Sequence, residues 1–193
     1  MRPSILKNKA KDTKLDAAII LYSRVLSDDL CNAIVNEYKD SDLWKPSAFY
    51  NGSEFKSNLR ESSEIQIGST ADTVYRQELD KEIFCAVGHC LEEYTKLYVS
   101  LAEQDVGYTL LRYEKGQYIA PHLDTSNDLG RILSLSVLLN NDFDGGRFMF
   151  WGGDLAIPKE KGSVLMFPSN FMYPHEVTPI DRGTRYSIVT WIK

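Results

Sequence analysis

After Gly107 the apolar residues stop recurring every three or four positions and begin to alternate, and they do so to the end of the chain. Successive side chains of a strand leave opposite faces, so this pattern specifies strands and excludes a helical second half. Strands are predicted near 107–114, 118–124, 131–140, 146–151, 163–167, 173–178 and 184–192. Turn-forming clusters divide them: Lys115-Gly116, Asn127 to Gly130, Asn140 to Gly146, Gly152-Gly153 and Arg182-Gly183. Helices come first. From Thr70 to about Ala102, Leu79, Ile83, Val87, Leu91, Tyr94 and Tyr98 form one apolar stripe with most charges outside it. Ser27 followed by Asp28 and Asp29 is a helix start, continued by Leu30, Ile34, Val35 and Tyr38. Ala17 to Tyr22 and Glu64 to Ile67 read as two further strands. Helices followed by many short strands make an α+β, mainly β chain: a jelly roll or barrel with N-terminal helices supporting one sheet face.

A length of 193 residues suits one well-filled domain, expected over 15–193. Ahead of it, five basic residues against Asp12 give residues 1–14 a net charge of +4, which reads as a flexible basic lead-in. The remainder must carry −9 of the whole-chain −5, a poor platform for a phosphate backbone, so nucleic acid is not an expected partner. Cys31, Cys85 and Cys90 are odd in number and contain no CxxC pair, which favours free thiols, buried as small apolar residues, in a reducing compartment. No apolar run reaches the length of a membrane span and the first residues lack the apolar stretch of a signal peptide, so a cytoplasmic location is expected.

Within the predicted strand 118–124, His122 and Asp124 are two apart and leave one face together, with Leu123 on the other. Pro121 cannot donate to a ladder and biases Ala120 away from helix, which suits a strand near an edge or mouth. One more imidazole would complete a set of two histidines and one carboxylate. Of the other two histidines, His89 falls in the long helix, where a surface or core role is expected. His175 lies in the strand-like piece Tyr173 to Val177, 53 residues after His122. Two histidines and a carboxylate on one side of a metal leave its other positions open, as non-haem Fe(II) chemistry with a co-substrate and oxygen requires. Ten residues beyond His175 comes Arg185, with Ser187 on the same strand face. A guanidinium fork beside a hydroxyl suits a terminal carboxylate. Strand parity also groups Thr109, Leu111 and Tyr113, places Tyr118 with His122, and places Trp191 with Arg185.

HxD, a distant His, then RxS ten residues on resembles the Fe(II)- and 2-oxoglutarate-dependent dioxygenases, and within them the prolyl 4-hydroxylase-like branch. The resemblance covers about residues 17–193 and is most specific from 108 onward. It implies a double-stranded β-helix core with His122 and Asp124 at the end of its second strand, His175 on the seventh and Arg185 on the eighth. It also implies Fe(II) held by His122, Asp124 and His175, 2-oxoglutarate and O2 as co-substrates, ascorbate as an accessory, and no catalytic side chain beyond the iron ligands.

Tyr113-Glu114-Lys115-Gly116-Gln117 resembles the family's YxxGQ, whose tyrosine contacts the far carboxylate of 2-oxoglutarate, as Arg185 and Ser187 are expected to do. A plain core aromatic is an equally good reading of Tyr113. Trp191 matches a family tryptophan at the substrate end of the pocket, and Arg131 matches an arginine that helps hold a peptide; Tyr118 is expected to line the same cavity. Arg60-Glu61-Ser62 resembles the family's RxS ahead of a strand, and 44–63 its mobile segment over the active site, with an ordinary surface loop as the alternative. One departure stands out: Phe148, after Asp144-Gly145-Gly146-Arg147, occupies a position where prolyl hydroxylases often have threonine. The expected activity is hydroxylation of a prolyl residue in a peptide or protein, releasing succinate and CO2. Hydroxylation of a free amino acid or other small molecule, and a cupin-like barrel that only binds ligand, are the alternatives. No membrane partner is expected.

Overall fold

A computed structural model describes residues 14–47, 59–68, 73–98, 104–125 and 130–193, and the backbone alone at 49–50 and 54–55. The basic lead-in through residue 13 lies outside the described residues.

Two antiparallel sheets enclose a cavity. The larger runs, in spatial order, β1 (Ile20–Tyr22), β13 (Val164–Pro168), β9 (Leu133–Leu138), β16 (Arg185–Ile192), β7 (Thr109–Tyr113), β6 (Ser63–Gln66) and β2 (Lys45–Pro46). The smaller runs β12 (Leu155–Ala156), β11 (Phe148–Phe150), β14 (His175–Val177), β8 (Tyr118–His122) and β5 (Arg60–Glu61). Two short ribbons, β3 (Phe49–Tyr50) with β4 (Glu54–Phe55) and β10 (Asp144–Gly145) with β15 (Ile180–Arg182), complete the set. From β7 onward the chain passes back and forth between the two large sheets, with β7, β9, β13 and β16 in one and β8, β11, β12 and β14 in the other. That alternation is the double-stranded β-helix, or jelly roll.

The central strand β9 shows how the sequence builds both a core and a cavity. Its residues, Leu-Ser-Leu-Ser-Val-Leu, are all buried. Leu133, Leu135 and Val137 face a core shared with the helices, whereas Ser134 and Ser136 face the other sheet, where short side chains leave space. The helices cover the outer face. The first, Asp28–Tyr38, buries Cys31, Ile34 and Tyr38; the second, Val74–Leu97, buries Leu79, Ile83, Val87, Cys90 and Tyr94. Both meet Ile65, Leu110, Val137, Met166 and Ile188 of the large sheet in one cluster. Each helix starts on a hydroxyl cap: Ser27 Oγ accepts from the Leu30 amide at 3.1 Å, and Thr73 Oγ1 from the Arg76 amide at 3.2 Å. Ser27→Ala should therefore cost about 1 kcal/mol of unfolding free energy, measured by urea denaturation, without touching the cavity.

The structure corrects several sequence expectations. Only Ile20–Tyr22 of the first predicted strand is a strand; Leu15–Ala18 is a 3-10 turn whose Ala17 and Ala18 carbonyls accept from the Tyr98 and Tyr94 hydroxyls rather than from a ladder. The long helix is shorter than 70–102 because Tyr98 is already extended. Cys31 and Cys90 are buried as expected, but Cys85 is on the helix's exposed side, as is His89. The strand predicted to contain Asp124 ends at His122. Within the candidate lid 44–63, β3 pairs with β4, and residues 48, 51–53 and 56–58 lie outside the described residues.

Candidate metal centre and its cavity

His122 is the last residue of β8 and His175 the first of β14, and the two are direct cross-strand partners. Asp124 follows two residues later, in a bend. The ligand-capable atoms of His122, Asp124 and His175 all lie within 4.8 Å of one another. His122 Nδ1 is 3.0 Å from the Ala120 carbonyl oxygen and His175 Nδ1 is 3.1 Å from that of Tyr173. A carbonyl only accepts, so each ring donates from Nδ1 and turns an Nε2 lone pair inward. Those Nε2 atoms stand 3.6 Å and 3.4 Å from the two carboxylate oxygens of Asp124. Electron pairs converge with no proton between them, the arrangement a divalent cation satisfies; backbone carbonyls that fix the imidazole tautomer are its usual support.

The charge states agree. Burial opposes ionisation of Asp124, but His175, then His122 and the Ser134 hydroxyl, outweigh it and hold the carboxyl well below the usual carboxylate range. Burial pushes His175 down to about 4 despite the neighbouring Asp124. Near neutral pH the site is a carboxylate facing a neutral buried imidazole, ready for a metal without releasing a proton from either. Aromatic rings wall His175 on its other sides: Phe148 stacks on it at 5.2 Å and 7°, and Phe167 meets it edge-on at 4.8 Å.

The three side chains open into a cavity of about 580 Å³ between the sheets. Arg185, only 4 % exposed, lies on its wall. Its Nη1 donates to Ser187 Oγ at 2.6 Å and its guanidinium carbon is 5.5 Å from the Tyr113 ring centre, across the β16–β7 ladder. Its Nε, however, has no hydrogen-bond partner, and no acid pairs with it among the described residues. A buried guanidinium without a counter-charge is costly unless an anion enters beside it.

The profile of the 2OG-Fe(II) oxygenase superfamily matches residues 108–193, the segment that contains His122, Asp124, His175 and Arg185. A PKHD-type hydroxylase of Idiomarina loihiensis is 31% identical over 93 residues, 44% of this chain and 41% of that protein. One from Maricaulis maris is 27% identical over 143 residues, 70% of this chain and 60% of that protein. The chain thus spans about half the length of these relatives. A solved structure from Trichoplax adhaerens, a prolyl hydroxylase in complex with a hypoxia inducible factor oxygen degradation domain peptide fragment, shares the fold with a TM-score of 0.77 at 19% identity, covering 93% of this chain and 86% of that one.

In this segment Tyr113, Arg131, Arg185, Ser187 and Trp191 all line the cavity that holds the three ligand-capable residues. Tyr118 does not. Between β8 and β14 the register shifts, since His175 pairs with His122 but Val177 pairs with Ile119. The bulge lies at Ala120-Pro121 and reverses parity, so Ile119 rather than Tyr118 joins His122 on the wall. Sequence reasoning missed Glu64 and Gln66 on β6, which also line the cavity, and Ser134, whose hydroxyl favours the ionised form of Asp124. The alternation through 64–67 placed Glu64 and Gln66 on one face but could not say that the face was internal.

Proposed function

We propose that the chain is an Fe(II)- and 2-oxoglutarate-dependent hydroxylase acting on a prolyl residue of a peptide or protein, with release of succinate and CO2. In this reading His122, Asp124 and His175 hold Fe(II), and Arg185, Ser187 and Tyr113 receive the distal carboxylate of 2-oxoglutarate. The observation that carries it is Arg185: a buried cation with no acid partner among the described residues, on the wall of the cavity into which a candidate metal-ligand set opens. Bound Fe(II) would supply the activation of O2, aided by ascorbate, that no side chain can provide.

The chain's own residues do the rest. Carbonyls 120 and 173 keep both imidazoles in the ligating tautomer, and Phe148 and Phe167 exclude water from the buried flank of His175. Arg185 orients an anion by a planar fork that Ser187 pre-sets. On the cavity wall, Trp191 Nε1 is a buried donor with no partner among the described residues, suited to an acceptor on the substrate. Free Cys31, Cys85 and Cys90 fit action in a reducing cytoplasm, and among the described residues no helix is long and apolar enough to cross a membrane.

The test is an anaerobic titration of metal-free protein with Fe(II) and then 2-oxoglutarate, following the visible band that appears only when both are bound. His122→Ala should abolish the band, and Arg185→Lys should move it to higher 2-oxoglutarate concentration because the charge remains but the fork is lost. Iron bound without a band would overturn the hydroxylase reading in favour of a ligand-binding barrel. For the substrate, proline-containing peptides are expected to raise succinate formation where free proline does not; the reverse result would assign a small-molecule substrate.

A further inference from the structure

Asp124 is the least anchored of the three metal-ligand candidates, because strand pairing in β8 stops at His122. Its backbone carbonyl accepts from Arg131 Nη1 at 3.0 Å, and the Ser134 hydroxyl lies close enough to favour its ionised carboxylate. The Arg131 guanidinium lies over the Trp191 ring, its carbon 3.5 Å from the ring centre. Trp191 and Ser134 are in turn direct partners across the β16–β9 ladder. Both supports of Asp124 therefore rise from one rung of the large sheet, and Ser134 is itself tied to Ser169 at 2.8 Å.

We infer that Arg131 is a positioning residue of the metal centre, which uses the Trp191 face as a platform to fix Asp124 through its carbonyl. The inference rests on the metal-site reading above. It gives Arg131 a task other than holding a peptide: the guanidinium is committed to a ring on one face and to Asp124 at one edge. Without that tether the bend could rotate and carry the carboxylate away from the two Nε2 atoms, whatever substrate is present. A ligand's supporting partners set metal affinity through this kind of orientation, at about 10- to 100-fold per partner.

The experiment is an anaerobic titration of metal-free protein with Co(II) alone, followed by its visible absorption, beside the melting temperature of each metal-free variant. Arg131→Met keeps an apolar stem over Trp191 and removes the donor; it should bind Co(II) at least about tenfold more weakly while melting like the parent. Trp191→Phe keeps a ring face and should bind Co(II) within about twofold of the parent, whereas Trp191→Ala should match Arg131→Met. Should Arg131→Met not fold, Trp191→Ala alone carries the expectation. Parent-like Co(II) affinity in both Arg131→Met and Trp191→Ala, with only the KM for a peptide raised, would overturn the inference and return Arg131 to the substrate. His122→Ala separates the two levels. If it too binds Co(II) as the parent does, the metal-site reading fails rather than the role of Arg131.

Discussion

Asp124→Asn is expected to give a folded protein with no measurable metal-dependent turnover and at least about a hundredfold weaker Fe(II) binding, more than the loss of a supporting partner costs. The amide has the shape of the carboxylate, so packing gives no reason for unfolding. Two electrostatic changes remain. The negative charge that balances a divalent cation disappears, and an N–H donor replaces one of the two oxygens that face Nε2 of His122 and His175 at 3.6 Å and 3.4 Å. The new donor can bond to either imidazole nitrogen, so the site satisfies itself internally and the lone pairs a metal needs are taken up. Metal content after dialysis and succinate release measure the two effects. Retained iron with retained turnover would remove Asp124 from the site.

Most of this arrangement was legible because strand parity is a strict rule where strands are regular. Arg185, Ser187 and Trp191 lie on the cavity face of β16, and Thr109, Leu111 and Tyr113 on that of β7, as alternation requires. The rule fails where the ladder fails. The bulge at Ala120-Pro121 swapped Tyr118 for Ile119, and it did so beside the one proline that signalled an irregular strand. Asp124 shares the site with His122 although no strand contains it, which a two-residue spacing alone cannot distinguish from a regular strand. The Ser134 and Arg131 contacts were invisible for a different reason: they depend on which sheet faces which and on a rung pairing between residues 57 apart in the chain. Phe148 is instructive in the same way. As a departure from threonine it weakens the inference of prolyl specificity, yet in three dimensions its ring lies nearly parallel to His175 and walls that imidazole on one side.

Arg185→Met should separate folding from function in opposite directions. In the metal-free, ligand-free protein the guanidinium is buried, and among the described residues its Nε has no partner and its close polar contact is Ser187. Burial lowers its pKa, the sign of a charge the surroundings hold poorly. A methionine of similar length removes that cost and should raise the unfolding free energy by about 1–3 kcal/mol, or roughly 2–4 °C in Tm per kcal/mol for a chain of this size. The same change deletes one partner of the proposed carboxylate pair, for which losses of about 2–5 kcal/mol are usual, so 2-oxoglutarate affinity should fall at least about thirtyfold. At a hundredfold excess over the parent's Kd the co-substrate should stabilise the parent by about 2.7 kcal/mol and the variant by no more than about 0.9 kcal/mol. Thermal melts with and without metal and 2-oxoglutarate therefore have a predicted crossing: the variant melts higher when ligand-free, and the parent gains on it or overtakes it when loaded. A variant less stable than the parent in the ligand-free state and equally shifted by 2-oxoglutarate would mean that Arg185 is a structural cation, and that the anion seat lies elsewhere in the cavity.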